Sequence, residues 1–171
     1  MKPYDVTQMY RLAEHYSRAS ELLEEQSRGS SYGCSAPQLL VDSFAVEIYL
    51  KCLIVLDDPN AEPHGHIWTK LFAQLRPQIQ VLVRQAFDRI IDDDHVLRNL
   101  PVINSDAPAG ITNFDESLKV GADTFGGRRY LYEGGTRSDF YYADLVRKAI
   151  RNVTKLDLRL SSISIEGEEV S

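Results

Sequence analysis

The spacing of apolar residues along the chain is predominantly helical. Near the start, apolar residues recur every three or four positions from Val6 to Leu23, which places them on one face of a helix. Asp5 and Gln8 have the spacing of an N-terminal cap, in which a carboxylate accepts from the first free N–H groups. The sequence therefore predicts an amphipathic helix that begins after Asp5 and ends in the run SRGSSYG.

A second segment, PQLLVDSFAVEIYLKCLIVL, is apolar on almost every side. Ser35 and Pro37 have the positions of an N-cap and a first-turn proline. A helix with so little polar surface is typical of the centre of a bundle. Its few polar residues fall about four apart and trace one narrow strip. The strip consists of Gln38, Asp42, Ser43, Glu47 and Lys51.

The rest of the chain alternates shorter helical patterns with loops rich in glycine and proline. We find no alternating strand pattern, internal repeat or domain linker. The sequence therefore predicts an all-α fold, a bundle of four main helices plus short extra helices. We expect one domain over residues 1–171, with a core from 4 to 160 and an acidic, frayed tail from 161 to 171. The later helices are expected around Trp68, from Pro77 to Ile91, from Phe114 to Phe125 and from Ser138 towards Leu160.

Composition is that of an ordinary globular protein, with 43% hydrophobic and 26% charged residues. No apolar run reaches the roughly 18 residues of a membrane span, and the start MKPYDVTQMY lacks a signal-peptide core. Cys34 and Cys52 form no CxxC pair and are interpreted as reduced thiols. We therefore predict a cytoplasmic protein without membrane contact. Its net charge of −6 means that a nucleic acid would have to be held by a local basic patch.

Three stretches, taken in order, resemble HEPN domains: FAVEIYLKCLIVL, GHIWTKLFAQL and FGGRRYLYE. HEPN domains commonly carry an E-xxx-K helix, here Glu47 and Lys51, then a Gly-His segment and an aromatic, arginine-containing segment. The resemblance covers roughly residues 36–160. It implies a bundle of four to six helices, usually a homodimer, without a cofactor. It also implies RNA cleavage or binding, or contact with a partner protein such as a nucleotidyltransferase or antitoxin, in prokaryotic toxin–antitoxin or phage-defence systems.

The resemblance also directs attention to RIIDDDH, because active HEPN proteins cleave RNA without metal through an Arg-x(4–6)-His motif at the dimer interface. A histidine can take the proton of the ribose 2′-OH, and an arginine can stabilise the charge that grows on the phosphate. Arg89 and His95 have this spacing. However, chance alone predicts about one such match in a chain of this composition. The acidic run from Asp92 to Asp94 would repel phosphates, and six residues of helix separate two side chains by roughly 120°.

These observations leave three hypotheses open. The first is a catalytically degenerate HEPN-like protein that acts through dimerisation and partner or RNA binding. The alternative is an active metal-independent endoribonuclease that uses Arg89 and His95. The third is a helical bundle that binds a small ligand in a closed apolar pocket.

The loop GGRRYLYEGGTR places arginines among tyrosines in an otherwise acidic protein. Such a loop can hold phosphate and stack on a base. Alternatively, the tyrosines pin the loop to the bundle while one arginine pairs with a buried acid. We predict that Glu47 contacts Arg128 or Arg129, since a half-buried carboxylate on an apolar helix needs a cationic partner. The loop residues in question are Arg128, Arg129, Tyr130, Tyr132 and Arg137.

His64 and His66 lie near several acids, an arrangement that invites comparison with a metal site. No third histidine or cysteine follows at a ligand spacing. We therefore predict no metal site. His66 is expected to begin a helix, and His64 is expected on the surface.

Overall fold

The computed structural model describes residues 4–27, 35–93, 113–122 and 138–157. These ranges contain helices and connecting turns and no β-strand, so the predicted all-α fold is confirmed. Four of the helices are long and two are short, as expected. The six helices are α1 (Val6–Ser27), α2 (Ser35–Asp57), α3 (Trp68–Phe72), α4 (Pro77–Asp93), α5 (Phe114–Ala122) and α6 (Ser138–Lys155).

Helix α2 lies at the centre of the bundle. Helices α1, α3 and α6 all pack against it, and α6 also contacts α4 and α5. Its apolar residues are buried on several sides at once, which is why the sequence pattern shows no single apolar face. Even the polar residues Asp42, Ser43 and Glu47 are buried. The buried apolar residues of α2 are Leu39, Ala45, Val46, Tyr49, Leu50, Cys52, Leu53, Ile54 and Val55.

The helix starts follow the capping residues of the sequence. At α1, the backbone N–H of Gln8 donates to Asp5 Oδ1 at 3.0 Å. At α5, the N–H of Glu116 donates to Asn113 Oδ1 at 2.9 Å. Both contacts satisfy N–H groups that have no partner within their own helix.

Two helix boundaries differ from the expectation: α6 ends at Lys155 and does not continue towards Leu160, and α3 begins after His66. Helix α3 begins at Trp68, and its N-cap is Ile67 in an extended conformation, so His66 precedes the helix. Ile67 itself is exposed, although it is a large apolar residue beside the buried Trp68. The backbone turns into the helix only at Trp68, and this turn directs the neighbouring side chain to solvent.

Aromatic residues fill the space between α3, α4 and α5. The ring of Phe114 lies 4.9 Å from that of Phe72 and 5.6 Å from that of Phe87, measured between centroids. Trp68 is buried beside Gly121 of α5, and a Cβ at that glycine would overlap the indole. The close approach of α3 and α5 therefore depends on the absence of a side chain at residue 121.

Within the described residues, none of the helices combines the length and the apolar character that crossing a membrane requires.

Candidate functional site

Arg89 lies on the exposed side of α4. Three aspartates on the same helix are also exposed, so the residues near Arg89 on α4 are acidic. They are Asp88, Asp92 and Asp93. His95 lies outside the described residues. The surface around Arg89 is therefore unfavourable for an RNA phosphate, which carries negative charge itself.

The arginines and tyrosines of the GGRRYLYEGGTR loop also lie outside the described residues. This applies to the predicted contact of Glu47 with Arg128 or Arg129, which stays a prediction. The residues concerned are Arg128, Arg129, Tyr130, Tyr132 and Arg137.

Glu47 is only 7% exposed and has two basic neighbours. Lys51 Nζ donates to its Oε1 at 2.7 Å, and the two residues lie four apart on the same helix. His66 Nδ1 lies 2.9 Å from both carboxylate oxygens. A carboxylate without a proton only accepts hydrogen bonds, so a hydrogen bond in this contact requires the proton on Nδ1. The histidine side chain is 63% exposed, so its ring also faces solvent.

A network of buried charges joins α1, α2 and α6. At its centre, Arg147 of α6 and Asp42 of α2 both have 0% exposure, and Arg147 Nε lies 2.7 Å from Asp42 Oδ1. This contact is an ion pair without a well-directed hydrogen bond, because the N–H does not point at the oxygen. Arg147 Nη2 donates to Asp144 Oδ1 at 2.5 Å, and Nη1 donates to Ser17 Oγ of α1.

A second ion pair, between partly exposed Arg151 and buried Glu14, extends the network along α1. Arg151 donates two hydrogen bonds to Glu14, from Nε at 2.8 Å and from Nη2 at 2.6 Å. The hydroxyl of Tyr49 donates to the same carboxylate from α2. Glu21 accepts a further bond from Arg151 Nη1 at 2.9 Å. A bidentate pair of this kind, with two parallel hydrogen bonds, is the strongest form of contact between a guanidinium and a carboxylate.

The pKa values of two buried acids of the network, Asp42 and Glu14, are shifted in opposite directions. Burial raises the pKa of Asp42 to about 7, although the charge of Arg147 opposes the rise. Burial also acts to raise the pKa of Glu14, but hydrogen bonds from Arg151 and Tyr49 outweigh it and hold that pKa below its usual value. Burial, together with the charge of Glu14, raises the pKa of Tyr49 far above its ordinary range. Glu14 therefore stays ionised, whereas Asp42 exchanges its proton near neutral pH.

Sequence reasoning did not find this network. The apolar stripe predicted for α1 is only partly buried. The side of α1 that is most deeply buried carries Tyr10, Glu14, Ser17 and Ser20. One signal was available: Asp42 lies on an almost wholly apolar helix, and such a carboxylate requires a partner. The spacing of Arg147 and Arg151 places both on one face of α6, but nothing local shows which acids they meet.

No group of three or more metal-ligating side chains occurs among the residues the structure describes. His64 Nε2 lies 3.6 Å from Glu62 Oε2, and both side chains are largely exposed. His66 instead faces Glu47, so the two histidines have different neighbours.

Comparisons with family models, with curated proteins and with solved structures gave no match to this chain.

Proposed function

We propose that this chain is a HEPN-like helical protein that acts by dimerising and binding a partner, without cleaving RNA. The observation that supports the proposal is the contact between Glu47 and His66. Two of the stretches that resemble HEPN domains, the E-xxx-K helix and the Gly-His segment, meet at this contact. Lys51 completes it by binding the same carboxylate. The resemblance thus rests on residues that form one cluster on the bundle.

The surroundings of Arg89 favour a non-catalytic role over RNA cleavage. A ribonuclease must bring phosphates to its arginine, and three exposed aspartates on α4 oppose this. The net charge of −6 adds no general attraction for RNA. A partner protein, such as an antitoxin or a nucleotidyltransferase, therefore fits the described surface better than RNA does.

A cleavage assay separates this proposal from the ribonuclease alternative. Fluorescently labelled RNA is incubated with the full chain, with Arg89→Ala and with His95→Ala, each in the presence of a chelator. We expect all three proteins to leave the RNA intact. Cleavage by the unmodified chain that both substitutions abolish would identify Arg89 and His95 as a metal-independent ribonuclease pair and refute the proposal.

Binding is tested in two further measurements. Sedimentation equilibrium at tens of micromolar should give twice the monomer mass of 19.4 kDa, whereas the monomer mass would contradict dimerisation. Fluorescence anisotropy with labelled RNA at low and high salt should show only weak association. Tight, strongly salt-dependent association would make RNA the partner, since it reports the displacement of counterions from phosphates.

A further inference from the structure

An apolar groove lies at one end of the bundle, where the last turns of α2 and α6 meet the first turns of α4. It has a volume of about 270 Å³. Asp57 and Arg76 form an ion pair at its edge. Leu156 at one wall is 69% exposed and Leu82 at another is 44% exposed, so the groove opens to solvent. Its apolar lining consists of Leu53, Leu56, Ile79, Leu82, Val153 and Leu156.

The size and openness of the groove fit a few side chains of a polypeptide better than they fit a small-molecule ligand. Pockets for small ligands usually enclose about 300–1,000 Å³ and surround most of the ligand. This groove is smaller and open, and large apolar side chains stand exposed at its margins. Exposed leucines beside an apolar groove are typical of a surface on which another segment packs.

We propose that this groove holds the chain's own segment from Leu158 to Ile165, so that the frayed part of the tail expected from residue 161 begins only after Ile165. Helix α6 ends in a tight turn, in which the N–H of Leu156 donates to Val153 O at 3.1 Å and that of Asp157 donates to Thr154 O at 3.2 Å. Leu156 and Asp157 are part of the groove wall. The next residue of the chain is therefore attached directly to the groove margin.

The sequence of the segment matches the groove in pattern and reach. LRLSSISI has apolar residues at every second position within each half, at Leu158 and Leu160 and again at Ile163 and Ile165. In an extended segment the two residues of each pair share one face, and because Ile163 lies three residues after Leu160, the two pairs face opposite sides. Only one pair can therefore enter the groove, and the proposal assigns Ile163 and Ile165 to it. Eight extended residues reach up to about 26 Å, which is enough to lie along the end of a helical bundle.

Covalent attachment favours this segment over a peptide from another molecule. A short tether gives the attached segment an effective concentration in the millimolar range, without the cost of bringing two molecules together. A separate peptide would have to overcome that advantage. The inference does not depend on the proposed function, since the groove and the segment are defined without it.

Disulfide trapping in the full chain tests the proposal. Leu82→Cys is combined with Ile163→Cys in a Cys34→Ser background, and the remaining Cys52 is buried. The matched control replaces Leu82→Cys with Val81→Cys, because Val81 is 49% exposed but does not line the groove. We expect mild oxidation to give an intramolecular disulfide at least tenfold faster for the groove pair than for the control. Equal rates would overturn the proposal, and so would products of dimer mass, which would identify a second copy as the occupant.

Alkylation of the single variants gives an independent result. Leu82 and Val81 are almost equally exposed in the described structure, so a bound segment should make Leu82→Cys react severalfold more slowly than Val81→Cys. Adding Ile163→Ser and Ile165→Ser should restore the reactivity of Leu82→Cys and leave that of Val81→Cys unchanged. Circular dichroism checks that each variant keeps its helices. A reactivity of Leu82→Cys that these serines do not change would also overturn the proposal.

Discussion

Arg147 is a fully buried cation that contacts residues from α1, α2 and its own helix α6. Removing two charges from water is costly, and their attraction often does no more than offset that cost. The network is therefore a weak source of net stability but a strong constraint on geometry. A rotation of any one of the three helices would leave a buried charge without its partner. We infer that the network fixes how α1, α2 and α6 are aligned.

Asp42 makes stability depend on pH in a direction unusual for an acid. Its pKa is about 7 in the folded protein and 3.8 in the unfolded chain, so the folded state binds the extra proton between these values. Stability should therefore fall as the pH rises from about 4 to about 7. Each unit of pKa corresponds to about 1.4 kcal/mol, which limits the total loss to about 4 kcal/mol. Asp42→Asn should remove this contribution.

Urea unfolding at pH 5 and pH 8 measures the effect. The unmodified chain should lose stability relative to Asp42→Asn at the higher pH. Asp88→Asn, at an exposed position of α4, is the control and should follow the unmodified chain. If the difference between Asp42→Asn and the unmodified chain is the same at both pH values, Asp42 does not titrate in this window.

Glu14 and Arg151 should show strong coupling in a double-mutant cycle. Arg151→Met leaves the buried carboxylate of Glu14 without its bidentate partner, which typically costs about 3–5 kcal/mol, and Glu14→Gln removes the charge that Arg151 pairs with. The double variant should lose clearly less than the sum. The comparison pair is Arg84 and Asp115, which has similar two-pronged geometry but is exposed, and its coupling should not exceed about 1 kcal/mol. Urea unfolding measures both coupling free energies. Equal values for the two pairs would show that burial does not determine the strength of the coupling.

At the level of elements, the sequence patterns predicted where the helices lie in the chain better than which residues of different helices contact each other. Caps such as Asp5 with Gln8, and the pair Glu47 with Lys51, are local, so their spacing alone indicates the contact. The Asp42–Arg147 contact joins residues far apart in sequence. Predicting it requires the rotation of each helix about its axis, and a helix that is apolar on nearly every side does not reveal that rotation.

The packing of α3 against α5 gives a prediction for one glycine. Gly121→Ala should destabilise the protein by about 1–3 kcal/mol or more, because the new Cβ overlaps the buried indole of Trp68 and either helix must shift. Alanine is otherwise the better helix former, so propensity alone predicts the opposite sign. Thermal unfolding measures the change, and Lys119→Ala at an exposed position of α5 is the control. A Gly121→Ala variant as stable as the unmodified chain would contradict the close packing.

For the whole molecule, the central position of α2 determines which substitutions are tolerated. Leu50 is fully buried, and it lies on the helix against which α1, α3 and α6 all pack. Leu50→Asp places a charge in that core and should cost several kcal/mol or abolish folding. Leu40, on the same helix but exposed, supplies the control Leu40→Asp. A normal melting curve for Leu50→Asp, measured by circular dichroism, would refute the central placement.

The pairing of α1 with α6 also has a consequence for the order in which the chain folds. A ribosome releases α1 and α2 well before α6, so the nascent chain holds Glu14 and Asp42 before Arg151 and Arg147 have been made. Without these guanidinium groups, both acids favour staying in water, which opposes tight docking of the first two helices. Contacts across so long a stretch of sequence also form slowly. When α6 packs against α1 and α2, it therefore completes the core and supplies the cations that pair with Glu14 and Asp42 in the same step.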